Sequence, residues 1–153
     1  MANDPDDILC WQRLDQRTTT SGRIDGDDIA RLAAIGVRHV INLALVDSPG
    51  ALADEDRLMA AAGLRYSHIP VPFDAPQEDH FRAFCAAYGA DAEPVHVHCM
   101  MNYRVSAFFY RYHRERGMPK DKAWAIMARQ WQPSAGDHPD AQAWAQFIAT
   151  GDE

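Results

Sequence analysis

Apolar residues along this chain recur with two different spacings, and the switch between them marks out the elements. Residues 8–14 are short and apolar, and suit an edge strand or a cover on the core. Thr18, Thr19 and Thr20 suit a strand, and Ser21 and Gly22 a turn. Asp25 caps a helix with Asp28 three positions on; Ile29, Leu32 and Ala33 form its buried side, and Gly36 ends it. Residues 37–43 are rich in β-branched side chains and predict a strand. Ser48, Pro49 and Gly50 then break the chain. A helix over 54–62 turns Leu58 and Met59 inward and closes at Gly63, and a strand follows over 65–71. Pro70, Pro72 and Pro76 exclude regular structure, so 72–76 is a loop, with Asp74 in it. Phe81, Phe84, Cys85 and Tyr88 make one stripe of a helix over 77–88.

The stretch 94–112 carries the switch from one spacing to the other. Val95 and Val97 share one strand face, and His96 and His98 the other. Val105, Phe108, Phe109 and Tyr112 then recur at helical spacing. Gly117, Met118 and Pro119 break this helix. Another over 120–131 carries Trp124, Met127, Ala128 and Trp131 on one face. After a loop over 133–139, Asp140 caps a last helix with Trp144, Ala145 and Ile148. Strands alternate with helices and give way to a helical C-terminal tail. The expected fold is α/β, with a central, mostly parallel sheet flanked by helices.

In such sheets, ligands bind beyond the carboxyl ends of the strands. Two loops lie there, one holding Cys99 and the other Asp74. Cys99 and Arg104 stand at a strand-to-helix turn with four residues between them: Met100, Met101, Asn102 and Tyr103. The first turn of a helix has unpaired N–H groups, and its dipole favours negative charge. Those groups would stabilise a thiolate. An arginine closing the turn can grip an oxyanion with two parallel hydrogen bonds. Thiolate, amides and guanidinium together make a nucleophile aimed at a bound anion.

Composition narrows the partners. The 153 residues fit one domain over 1–153, with residues 1–7 expected to be loose. The net charge of −7 argues against nucleic acid or an anionic membrane, yet leaves room for one small anion site. No apolar run is long enough to span a bilayer. The acidic start is unlike a leader, and three cysteines without framework spacing point to free thiols and a cytoplasmic location. Cys85 reads as core. Cys10 has no evident chemical partner. His96 and His98 could begin a zinc site with His68 or His80, but the better reading makes His96 a half-buried, satisfied histidine and His98 a brace for the loop. The tryptophans read as packing. Arg111, Arg114 and Arg116 suit the C-terminal half of a helix dipole without any phosphate.

The ordered marks Thr20-Ser21-Gly22, Val40-Ile41-Asn42-Leu43, Tyr66 through Val71, Val97-His98-Cys99 and Asn102 through Ala107 run through nearly the whole chain. In these it resembles the protein tyrosine and dual-specificity phosphatases, and more closely a bacterial phosphatase-like group of this length. The resemblance implies a protein tyrosine phosphatase-like fold and hydrolysis of a phosphomonoester, phosphotyrosine-like or small, with no metal or organic cofactor. Cys99 would form a phosphocysteine. Arg104 and the loop formed by Met100, Met101, Asn102 and Tyr103, with His98 and Ser106 beside it, would bind the phosphate. Asp74 would protonate the leaving oxygen, with Glu78 and Asp79 as competitors.

The loop departs from the usual pattern by being one residue shorter and lacking glycine, so Asn102 is expected at positive φ. Val105 also takes the place of the usual hydroxyl, with Ser106 one later. Single-domain rhodaneses use a cysteine-headed loop of similar length to carry a persulfide, so sulfur transfer on Cys99 is the rival reading. A non-catalytic anion-binding module is the third.

Overall fold

The computed structural model describes residues 3–133 and 139–152. Five strands form one sheet: β1 (Gln12–Arg13), β2 (Thr18–Ser21), β3 (His39–Asn42), β4 (Arg65–His68) and β5 (Val95–His98). Their order is β1-β2-β5-β3-β4, with β1 antiparallel to β2 and the other pairs parallel. Six helices are described: α1 (Gly26–Ala34), α2 (Glu55–Ala61), α3 (Glu78–Tyr88), α4 (Tyr103–Glu115), α5 (Lys120–Ala128) and α6 (Ala141–Thr150). This is the mostly parallel α/β architecture expected of the sequence. No helix among the described residues is long and apolar enough to cross a membrane. The loop expected over 133–139 lies mostly outside the described residues.

The sheet is a partition between two cores. Val95, Val97 and Ile41 face one side, where Phe81 and Phe84 of α3, Phe108 and Phe109 of α4, Met127 of α5 and Trp144 of α6 pack together. Val40 faces the other, with Ile29 and Leu32 of α1 and Met59 of α2. Burying both faces explains why a short parallel sheet is stable here. Helix α1 begins as its sequence predicts: the Asp25 N–H donates to Asp28 Oδ2 at 2.8 Å.

Several expectations need correction. Met59 is buried, but Leu58, one position earlier, is 38 % exposed; adjacent residues on a helix point in different directions, and here only Met59 faces the core. Helix α5 stops at Ala128, before Trp131. His96 is fully buried rather than half-buried. Arg111 is not a surface charge at a helix end. It is buried, paired with Glu78 at 2.7 Å and Glu115 at 3.2 Å, and stacked on Phe81 and Phe147.

The polar row on the α1–α2 side is satisfied from within. His96 meets Thr19 Oγ1 through Nδ1 and Ser21 Oγ through Nε2, both at 2.8 Å, under the stacked ring of Trp11. Burial, reinforced by nearby His98, holds the His96 imidazole well below its ordinary pKa, so it sits neutral. Burial also lowers His39 and His113. A base depressed in the folded state binds its proton more readily in the unfolded chain. Stability is therefore complete above about pH 6.5 and falls as pH drops below it, by at most about 1.4 kcal/mol per pH unit for each histidine. Urea midpoints should fall between about pH 7 and about pH 5, and His96→Asn should flatten that slope, because it removes one of the three contributors.

Candidate active site

Strand β5 is central, and Cys99 stands at its carboxyl end. The chain then turns through Met100, Met101 and Asn102 into α4. Asn102 has φ 64° and ψ 9°, the left-handed conformation expected of a short loop without glycine. Its buried side-chain amide explains how it stays there: Nδ2 donates to the Cys10 carbonyl at 2.9 Å and to Thr20 Oγ1 at 3.0 Å. Gly22 allows β2 to come close. A Cβ there would lie 2.5 Å from the Met100 carbonyl oxygen, which accepts instead from the Arg23 N–H at 3.0 Å. The Cys99 N–H donates to the Ser21 carbonyl at 3.4 Å. From Met100 to Val105, no backbone N–H has an acceptor among the described residues.

Cys99 and Arg104 line one pocket of about 240 Å³, together with Phe73, Met100, Met101 and Tyr103. Its wall is mostly apolar. Cys99 is itself fully buried, whereas Met101 is 42 % exposed at the rim. The Arg104 guanidinium is buried. Nη1 donates to the Val71 carbonyl at 2.9 Å, Cζ lies 5.6 Å from the Phe73 ring centre, and Nε has no partner among the described residues. A buried donor without an acceptor is costly in an isolated protein and valuable when an anion arrives.

Other candidate residues stand apart from that pocket lining. Asp74 is exposed in the loop after β4; its neighbour Phe73, not Asp74, forms the wall. Glu78 pairs with Arg111 and Arg82, and the Arg111 hydrogen bond holds its carboxyl below the usual range, so it is committed to these ion pairs. Asp79 is exposed at the start of α3. Ser106 donates to the Tyr103 carbonyl within its own helix, at 3.1 Å. His98 turns away from the pocket. Its Nε2 meets Glu55 Oε2 at 2.7 Å inside the protein, while Nδ1 lies 3.3 Å from the Cys99 carbonyl oxygen. Both ring nitrogens of His96 and of His98 are thus engaged, and no group of three metal-ligating side chains occurs among the described residues.

Sequence reasoning missed Phe73 and Glu55. Phe73 adjoins Asp74 in a proline-rich loop, a position that could have drawn notice. Glu55 is 43 residues from His98, and nothing in the sequence joins them. Cys10, without a partner in the sequence reading, lends its carbonyl to Asn102. Burial pushes its thiol up, and the charge of Cys99 adds to this.

A profile of the family described as beta-lactamase hydrolase-like protein, phosphatase-like domain, matches residues 11–110. Among solved structures, a candidate phosphatase from Shewanella putrefaciens is 31 % identical, over 96 % of this chain and 95 % of that one, with a TM-score of 0.80. P. aeruginosa TpbA, solved with pTyr, is 18 % identical over 97 % of this chain and 86 % of that one, at a TM-score of 0.67. PTPMT1, solved with PI(5)P, is 14 % identical over 93 % and 96 %, at 0.71. These last two show a shared fold. No curated protein matches the chain in sequence.

The bend at Asn102 can be tested by substitution. Asn102→Ala must adopt the left-handed conformation at about 1–2 kcal/mol and loses two side-chain hydrogen bonds at about 1 kcal/mol each. Asn102→Gly loses only the bonds. Chemical denaturation should rank stability as wild type, then Gly, then Ala.

Proposed function

We propose that this chain, which belongs to the beta-lactamase hydrolase-like protein, phosphatase-like domain family, is a cysteine-dependent phosphatase acting on a phosphomonoester. One observation carries the reading: Cys99 and the buried, partly unpartnered Arg104 line the same pocket. The unengaged N–H groups from Met100 to Val105 add an anion cradle at the start of α4.

In the first step the Cys99 thiolate attacks phosphorus. A P–S bond forms and the ester P–O bond breaks, and the leaving oxygen takes a proton from Asp74. The loop amides and the free donors of Arg104 meet the equatorial oxygens, whose charge they stabilise in the transition state. In the second step water attacks phosphorus. Asp74, now a carboxylate, takes its proton, the P–S bond breaks, and phosphate leaves with the thiolate restored. His98, backed by Glu55, braces the Cys99 carbonyl rather than touching substrate. The apolar wall of Phe73, Met100, Met101 and Tyr103 suits a flat aromatic group next to the phosphate, as in phosphotyrosine. Three free thiols, Cys10, Cys85 and Cys99, support a reducing, cytoplasmic setting.

Cys99→Ser should abolish hydrolysis of an aryl phosphate and keep phosphate binding by calorimetry; retained turnover would remove Cys99 as nucleophile. Asp74→Asn should lower kcat by roughly 10²–10⁴-fold. An unchanged rate would take the acid role from Asp74. Assayed on the same preparation, thiosulfate-to-cyanide transfer with added sulfur mass on Cys99 would replace hydrolysis by the persulfide reading. Anion binding with neither activity would leave a binding module.

A further inference from the structure

The segment between β4 and α3 carries Asp74, and it is fastened on both sides before that residue is reached. The Val71 N–H donates to the Leu43 carbonyl at 3.1 Å, and the Val71 carbonyl accepts from Arg104 Nη1 at 2.9 Å. The Ala75 N–H closes a turn on the Pro72 carbonyl at 3.2 Å. Between them the Phe73 carbonyl accepts from Trp144 Nε1 at 2.6 Å. Trp144 comes from α6 and is fully buried. Its ring lies 5.5 Å from Phe73, 6.1 Å from Trp131 and 5.5 Å from Phe147. Phe73 in turn lies 5.6 Å from Trp131, whose ring stacks on Tyr103 at 4.5 Å and whose indole N–H reaches the Tyr103 carbonyl at 3.0 Å.

An indole has one donor and no acceptor. Buried, it needs the Phe73 carbonyl, and lifting the loop would strand it. The same movement would pull Phe73 off the aromatic cluster and out of the wall beside Cys99. Pro72 fixes the backbone just before this contact. The loop is therefore braced from the far end of the chain, by a residue outside the pocket lining.

We propose that Trp144 is a positioning residue. Its indole holds the backbone beside Asp74 against the wall of the Cys99 pocket in the resting protein, so the loop that carries the acid is fixed before substrate binds instead of closing as a lid, and only the exposed Asp74 side chain has to turn toward the substrate. This rests on the phosphatase reading with Asp74 as acid, and adds to it the residue that fixes the acid's loop.

The test uses leaving groups. Phenyl phosphate expels a basic phenolate and depends on a proton donor; 2,4-dinitrophenyl phosphate expels a stable anion and does not. Trp144→Phe keeps a ring and deletes the donor. Its kcat should fall about tenfold or more further with phenyl phosphate than with the dinitrophenyl ester, within the span a misplaced group produces. Asp74→Asn should show the same pattern more strongly. An equal loss on both esters, or none, would reduce Trp144 to packing and overturn the proposal while leaving the phosphatase reading intact. Wild-type protein that hydrolyses neither ester, or Asp74→Asn without leaving-group dependence, would overturn the underlying reading and this inference with it. A second measurement covers a variant that does not fold. In ligand-free wild type, the Trp144 indole proton should exchange slowly with solvent, and Phe73, Asp74 and Ala75 amides should show no microsecond-to-millisecond relaxation dispersion. Dispersion there, or rapid indole exchange, would overturn it.

Discussion

A buried guanidinium with donors to spare is the constraint around which the protein is arranged. Arg104 spends one nitrogen on the Val71 carbonyl and leaves Nε with no acceptor among the described residues. Burying a cation this way is unfavourable unless something compensates, and the compensation offered is a pocket beside a cysteine at the N-terminal end of α4. The same side chain joins the two loops at the carboxyl edge of the sheet, since Val71 leads into the Asp74 segment. An arginine that both frames the pocket and holds the neighbouring loop fixes the distance between them.

The loop leading into that arginine has only four residues after Cys99 and no glycine, and the fold supports it from beneath. Asn102 takes the left-handed turn, tied to Cys10 and Thr20. Gly22 lets β2 approach within reach of the Met100 carbonyl. Deeper, Ser21 and Thr19 satisfy His96, and Glu55 satisfies His98, which touches the Cys99 carbonyl. Buried polar groups are tolerable only when paired, and a paired row is stiff. The polar face of this sheet serves as a foundation for the turn above it.

The apolar face does a different job. Helices α3 to α6 build one aromatic core, and its edge emerges as the pocket wall through Phe73 and Tyr103. Arg111 lies within that core between Phe81 and Phe147, its charge answered by Glu78 and Glu115. This commits Glu78 to a structural ion pair. The hydrogen bond from buried Arg111 lowers its proton affinity.

Much was legible in the sequence because it is written locally. The Val–His alternation of β5, the stripe from Val105 to Tyr112 and the Asp25–Asp28 start of α1 each depend on neighbours a few residues apart. So does the bend at Asn102, since a four-residue turn without glycine leaves asparagine as the easiest residue to place at positive φ. What only the tertiary structure decided involves partners far along the chain or partners without side-chain identity. Glu55 meets His98 across 43 residues. Arg111 finds Glu78 across 33. Trp144 bonds to a backbone carbonyl, a group every residue carries and no letter distinguishes. Even the choice of Met59 over Leu58 for the core depended on how α2 rotates against α1. Periodicity sets which residues can share a face; the packing of whole elements sets which of them meet.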